Sequence, residues 1–185
     1  MKNKENEKLG KKLRKMRKSQ AMSLAELAKE IGKTSSYLSQ VERGLAEPSI
    51  TALREISRAL DVPMFYFLVD NEKHNDVVRF KERKGLQFPG SHLKFELISP
   101  DLNHQMEMIE ARLEPGASTC EAPLSHPGEE CTLVVNGKMR IQVGDVFHDL
   151  GPGDSIYYKA SIPHKLTSIG EEDLVFISSI TPPNF

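Results

Sequence analysis

The sequence predicts a two-domain chain, multidomain α and β, with an all-α part over the first seventy residues and an all-β part after it. Three observations support the division. Apolar residues recur at helical spacing at first, then change beyond Val77 to the short alternation of strands. The stretch between the two patterns, "VDNEKHNDVVRFKERKG", is polar and charged. Charge also reverses: up to Leu68 there are 14 Lys/Arg against 8 Asp/Glu, and from Val69 onward 11 against 18, within a net charge of −1. We place the first domain at 1–69, a linker at 70–76 and the second domain at 77–185. A basic part beside an acidic one points the basic part toward an anionic partner.

The first helix is marked by Leu9, Leu13 and Met16 at i, i+4, i+7. It carries a dense basic run, Lys2, Lys4, Lys8, Lys11, Lys12, Arg14, Lys15, Arg17 and Lys18; such runs touch phosphate or are simply solvated. Ser23 followed by Glu26 is a capping box opening a second helix, whose stripe is Leu24, Leu27, Ala28 and Ile31 and whose end is Gly32. Thr34 can cap a third helix, "TSSYLSQVERG", which offers only Leu38 and Val41 to a core, with Tyr37 at its edge, before Gly44 stops it. Pro48 and Ser49 precede a fourth, built on Ile50, Leu53, Ile56 and Leu60, and Pro63 can open a short final turn.

Two short helices joined by "GKT" at Gly32–Thr34 make a helix-turn-helix, whose second helix can enter the DNA major groove. The stretch "LGKKLRKMRKSQAMSLAELAKEIGKTSSYLSQVERGLAEPSITALREISRALDVP" resembles the Cro/C1 (Xre-type) helix-turn-helix domains of phage repressors and bacterial regulators, a lambda-repressor-like bundle, over about residues 8 to 68. The resemblance implies that Ser35, Ser36, Ser39 and Gln40 face base edges, and that Arg17 and Glu42 pair to tie the first helix to the third. Gln40 can bond adenine bidentately, whereas serines specify weakly. Lys33, Arg43 and the N-terminal lysines are suited to phosphates, which supply affinity and register. Leu24 stands where many relatives carry a glutamine that contacts phosphate, so that contact is not expected here. The other reading is a helical bundle that binds a protein through the same polar face.

Beyond Val77 the strands are read from "FELIS", "QMEMIEARLEPG", "CTLVVNGKMRIQVG", "VFHDLGPGD", "SIYYKASIP" and "LVFISSI". Asn136-Gly137 predicts a hairpin, and Gly151-Pro152-Gly153-Asp154 another turn. Short strands at close intervals, with no helical stretch, predict an antiparallel jelly-roll sandwich or barrel.

The run "HPGEECTLVVNGKMRIQVGDVFHDLGPGDSIYYKASIPHKLTSIG" looks like the two-motif core of a cupin barrel, with "HPGEE" and Gly137 in the first motif and "GPGDSIYYKASIPH" in the second. A helix-turn-helix followed by a cupin also looks like a recurring bacterial regulator, in which the barrel senses a small metabolite. Metal-binding cupins use His-x-His, a Glu four residues after the second His, and a later His. Carried over, the positions are Leu124, His126, Glu130 and His164, so the first ligand is lost. On one strand, residues 124, 126, 130 and 132 would share a face, with Leu124 projecting inward. Two histidines and a carboxylate can still hold one divalent iron, manganese, nickel or zinc ion with open positions. They can equally hydrogen-bond a polar effector directly.

Other candidates are weaker. Cys131 should point away from Glu130 and pack in the core, and Cys120 lies near a turn; two cysteines are too few for a disulfide framework. His74, His92, His104 and His148 are isolated and read as surface or turn residues. One from each pair Tyr157/Tyr158, Met106/Met108 and Phe95/Phe176 is expected to line the barrel. A ligand facing two histidines and a glutamate should carry a polar or charged group, such as an amino acid or a polyamine.

The expected function is therefore a cytoplasmic, homodimeric, sequence-specific DNA-binding transcriptional regulator, not an enzyme, acting on double-stranded DNA and answering to a small-molecule effector. The N-terminus lacks the apolar core of a signal peptide, and no apolar run reaches membrane length. The alternative is a metal-dependent cupin enzyme, an oxygenase or isomerase, with an accessory DNA-binding domain.

Overall fold

Helices and strands fall into two compact units, Met1–Val69 and Asp70–Phe185. The computed structural model describes residues 2–67, 76–87, 92–102 and 104–183. The expected linker, except Asp76, and His74 lie outside the described residues.

The first unit holds α1 (Lys2–Ser19), α2 (Leu24–Glu30), α3 (Ser35–Glu42) and α4 (Ile50–Ala59), followed by a 3₁₀ turn at Met64–Phe67. Local chemistry sets the boundaries. Ser23 and Glu26 form the capping box, with Glu26 N to Ser23 Oγ at 3.1 Å and Ser23 N to Glu26 Oε2 at 2.7 Å. These bonds hold the Glu26 carboxyl below its ordinary range. Thr34 and Ser49 accept from the amides of Tyr37 and Ala52, capping α3 and α4. Gly32 and Gly44 close α2 and α3 at φ +63° and +71°, where a side chain would be strained. The core is the expected one: Leu13, Leu27, Leu38, Val41, Leu53, Ile56 and Leu60 are all fully buried.

The second unit is a jelly roll of two antiparallel sheets. Its strands are β1 (Lys84–Gln87), β2 (Leu93–Leu97), β3 (Glu107–Leu113), β4 (Glu129–Asn136), β5 (Met139–Val143), β6 (Val146–Leu150), β7 (Ser155–Lys159), β8 (His164–Ser168) and β9 (Leu174–Thr181). The larger sheet runs β1-β2-β3-β9-β4-β7 and the smaller β6-β5-β8. Alternation along β3 and β4 turns Glu107, Ile109, Ala111 and Leu113, and Glu130, Thr132 and Val134, inward.

Five expectations change. Asn136-Gly137 does not close a hairpin: β4 pairs β7 on one edge and β9 on the other, so no edge is left for β5. The dipeptide instead carries the chain from one sheet to the other, with Asn136 Nδ2 on Asp173 O at 3.0 Å. The two-residue hairpin lies between β5 and β6, where Gly144 at φ +59° suits the first central position of a II′ turn. Phe95 and Phe176 are both buried, because both stand opposite Ala111 of β3 and share its face. Cys131 faces away from Glu130 as expected but is exposed, since nothing described covers the outer face of β4 there. Leu124 and His126 precede β4 rather than belonging to it. Of the other paired candidates, Tyr158 is inward and Tyr157 outward, but neither methionine lines the barrel: Met106 is exposed, and Met108 alternates outward between the inward Glu107 and Ile109. The Gly151–Asp154 turn forms, closed by Asp154 N to Gly151 O at 3.0 Å. Among the described residues, no helix is long and apolar enough to cross a membrane.

Candidate functional site

The helical unit presents one polar face. On α3, Leu38, Val41 and Glu42 point inward while Ser35, Ser36 and Gln40 are exposed and Ser39 is half-buried. This follows from the 3.6-residue period acting on a helix with few apolar residues. Gln40 is held at the backbone as well, because its carbonyl accepts from Leu45 N at 2.9 Å and Ala46 N at 3.3 Å. Lys33 and Arg43 are exposed at the two ends of α3; Lys33 stands 4.0 Å from Glu55 in a half-exposed pair. Lys11, Arg14, Lys15 and Lys18 are exposed along α1.

Beneath that face, Arg17 and Glu42 meet as the resemblance implied. Arg17 Nε lies 2.6 Å from Glu42 Oε1 and Nη2 lies 3.0 Å from Oε2, while Nη1 donates to Met22 O at 2.6 Å. The hydrogen bond to Glu42 raises the guanidinium pKa further, against desolvation. One side chain thus ties α1, the loop before α2 and the end of α3 together. Gly10 lets α1 approach: a Cβ there would overlap Val41 O and lie 2.6 Å from Glu42 O.

The barrel unit gathers His126, Glu130 and His164, whose ligand atoms all lie within 4.8 Å of one another. Glu130 Oε2 is 3.5 Å from His126 Nε2 and 3.7 Å from His164 Nε2. A continuous strand would put residues four apart about 13 Å from each other along the chain. They meet because the chain turns at Gly128, φ +95°, between them, pinned by His126 N to Ala160 O and Ala160 N to Gly128 O, both 2.9 Å. A Cβ on Gly128 would overlap Thr181 O. Leu124 bridges His164 through two main-chain bonds, N to O at 3.0 Å and O to N at 2.8 Å. As opposed residues of an antiparallel bridge, the two share a face, which puts an apolar group where the fourth ligand would be.

Each imidazole sets its Nδ1 against a main-chain carbonyl, His126 on Pro127 O at 3.1 Å and His164 on Ile162 O at 2.9 Å. A carbonyl can only accept, so these contacts assign the proton to Nδ1 and leave the Nε2 lone pairs toward Glu130. Two lone pairs and a carboxylate converging at 3.5–3.7 Å repel unless a cation lies among them, either a metal ion or an added proton. The donor set therefore fits a divalent ion with two neutral imidazoles and one carboxylate.

Thr132, one inward step along β4, donates to Glu130 Oε1 at 3.2 Å and shares a 2.8 Å bond with Ser178 of β9. Burial pushes the Glu130 carboxyl up; with the imidazoles protonated, the bond from His126, the bond from Ser178 and the two imidazolium charges outweigh it and hold the pKa below the ordinary value. Tyr158 stands opposite Glu130 on β7, and burial pushes its phenol well above its ordinary range. Thr132 and Ser178 escaped the sequence reading, although two serines inside the apolar run "LVFISSI" are the signal that could have found Ser178. His92, His104 and His148 are exposed and outside this cluster.

Comparison with known proteins gives a consistent picture. A helix-turn-helix family model, HTH_3, matches residues 13–67, and a cupin domain model, Cupin_2, matches residues 109–180. The chain is 26% identical over 178 residues to the HTH-type transcriptional regulator PuuR of Escherichia coli, covering 95% of this chain and 96% of that one. An HTH_3 family transcriptional regulator from Vibrio cholerae shares the fold over the full length of both chains, with a TM-score of 0.78 at 23% identity. Hydroxypropylphosphonic acid epoxidase from S. wedmorenis, at TM-score 0.50 and 19% identity over 95% of this chain and 97% of that one, shares the fold more distantly.

Proposed function

Because the chain joins an Xre-type helix-turn-helix domain to a cupin domain, and so belongs with the helix-turn-helix transcriptional regulators that carry a cupin, we propose that it reads a specific operator and that its barrel binds a small-molecule effector which adjusts that binding. The carrying observation is that one chain holds both a polar, exposed recognition face on α3 and an inward His/Glu/His cluster.

In this reading Gln40, with Ser35, Ser36 and Ser39, meets base edges, and Lys33, Arg43 and the exposed cations of α1 meet phosphates. A bidentate Gln–adenine contact discriminates by roughly 1–3 kcal/mol. One such unit reads few base pairs, so a homodimer with recognition helices about 34 Å apart is expected on a palindrome. The barrel is the proposed dimer surface. Its smaller sheet ends in β6, an open edge on which Val146 and Phe147 are more than half exposed.

His126, Glu130 and His164 would hold the divalent ion, with Thr132 orienting the carboxylate and the Pro127 and Ile162 carbonyls fixing the imidazole tautomers. When bound, the ion would supply Lewis-acid positions for an effector's donor atoms. A coupling of ~1–3 kcal/mol between barrel and helix-turn-helix would change operator affinity about 5- to 150-fold.

The test is selection of binding sites from random duplex DNA by the full chain, then titration of the recovered site with and without a chelator. A recovered palindrome whose binding weakens with salt supports the proposal. Recovery of no preferred sequence at low salt would sink it. A second reading, a metal-dependent enzyme, draws on the three-donor cluster and its open positions. Leu124 in the fourth ligand's place counts against it.

A further inference from the structure

Tyr158 carries a polar group that neither the fold nor the three-donor cluster uses. It is 5% exposed, and its hydroxyl lies near the Glu130 carboxylate and the Thr132 hydroxyl but makes no well-aligned hydrogen bond with any described residue. It stands directly across from Glu130, and its ring lies 4.9 Å from that of His164. The nearest acceptor, the Glu130 carboxylate, already takes the Thr132 hydroxyl on Oε1 and turns Oε2 to both imidazoles, so the phenol competes there with groups that the cluster itself uses. Buried hydroxyls in folded proteins normally find a partner, so one left over beside a ligand cluster marks where a bound group belongs.

Three chemical constraints define that group. A phenol at neutral pH is a donor, so the group must offer an acceptor. A divalent ion held by one carboxylate and two neutral imidazoles keeps excess positive charge, which favours an anion. Leu124, opposite His164, makes the adjoining wall apolar, which disfavours a polyanion needing several donors.

We propose that the effector is a small monocarboxylic acid, bound as its anion at the His126–Glu130–His164 cluster, with Tyr158 donating to one of its oxygens. This rests on the reading that the cluster holds a divalent cation. An ammonium ligand would meet both a positive centre and a donor. A neutral amide would satisfy the phenol alone.

The test uses the full chain loaded with Co(II), whose visible absorption reports its ligands, titrated with propionate, propionamide and propylammonium. Propionate is expected to give a saturable spectral change and the other two none. Tyr158→Phe should weaken propionate about tenfold or more, the loss of a hydrogen bond to a charged group, while Co(II) affinity stays within about twofold. The proposal is overturned if propionate leaves the spectrum unchanged while Co(II) binds, or if Tyr158→Phe binds propionate as well as the parent. It is also overturned if the substitution changes Co(II) affinity alone, since the hydroxyl then serves Glu130. Failure of the parent chain to take up Co(II), with His126→Ala behaving identically, removes the metal reading itself and this inference with it. An unchanged melting temperature for Tyr158→Phe separates all these outcomes from misfolding.

Discussion

Arg17 forks onto Glu42 across 25 residues of sequence, with both side chains nearly closed to solvent and a third bond from the same guanidinium to Met22 O. The pair joins the helix that carries the basic run to the helix that carries Gln40. Its contribution is to fix one arrangement of α1 and α3 more than to add net stability. Two desolvated charges recover their hydration cost only while both are present.

Single and double substitution should therefore differ sharply. Arg17→Met leaves Glu42 buried without its countercharge and is expected to cost ~3–5 kcal/mol, whereas Arg17→Met with Glu42→Leu should recover most of that loss. Urea denaturation followed by circular dichroism at 222 nm reads the helical unit. Equal losses in the single and double variants would show that the pair's charge is not what matters.

Gly10→Ala runs against helix propensity. In an exposed helix interior, alanine would stabilise by about 1 kcal/mol. Here its Cβ would overlap the carbonyl of Val41 at the close crossing of α1 and α3. We expect a net loss of stability and a weaker grip on the operator, because α3 must shift. A gain in melting temperature with unchanged DNA binding would mean the crossing is looser than described.

Gln40→Ala and Arg43→Ala should fail differently. Loss of a base contact lowers affinity for the operator by roughly 5- to 150-fold and relaxes preference at one position. Loss of a phosphate contact weakens all sequences alike and lowers the salt slope by about 1. Fluorescence anisotropy on operator and scrambled duplexes, at several salt concentrations, distinguishes them. Identical behaviour of the two variants would remove the assigned roles.

These expectations were readable because the helical unit is specified locally. Ser23, Thr34 and Ser49 bond amides three residues away, and the buried pairs Leu27 and Ile31, Leu38 and Val41, and Leu53 and Ile56 each fall about one turn apart. The barrel is specified at long range and was harder to read. β8 buries His164, Leu166 and Ser168, so its inward face is mostly polar and hides the alternation; β1 buries Leu86 alone. Asn136-Gly137 carries the usual hairpin signal, yet both edges of β4 are taken by strands far away in sequence. The three donors were legible as a motif, but their meeting depends on a turn at Gly128 packed against Thr181, which no local pattern announces.

Thr132→Val removes a hydroxyl of nearly constant volume and with it the bonds to Glu130 Oε1 and Ser178. Outer partners of metal ligands commonly contribute 10- to 100-fold in affinity. We expect Co(II) affinity to fall within about that range while the barrel still melts cooperatively. Unchanged affinity would place the carboxylate's orientation elsewhere in the barrel.

Gly128→Ala tests how the site is assembled. At φ +95° the backbone is in the region that favours glycine, and the added Cβ would overlap Thr181 O, so residue 128 must move away from β9. Moving it displaces His126, which lies two residues before the turn, relative to Glu130, which lies two residues after it on a strand fixed by β7 and β9. Glu130 and His164 keep their supports, Thr132 for the one and the Leu124 bridge for the other. The variant should thus lose Co(II) affinity about as fully as His126→Ala does, although every ligand is still present. Near-parental binding would mean the cluster tolerates a displaced His126, and that Glu130 and His164 carry the ion with little help from it.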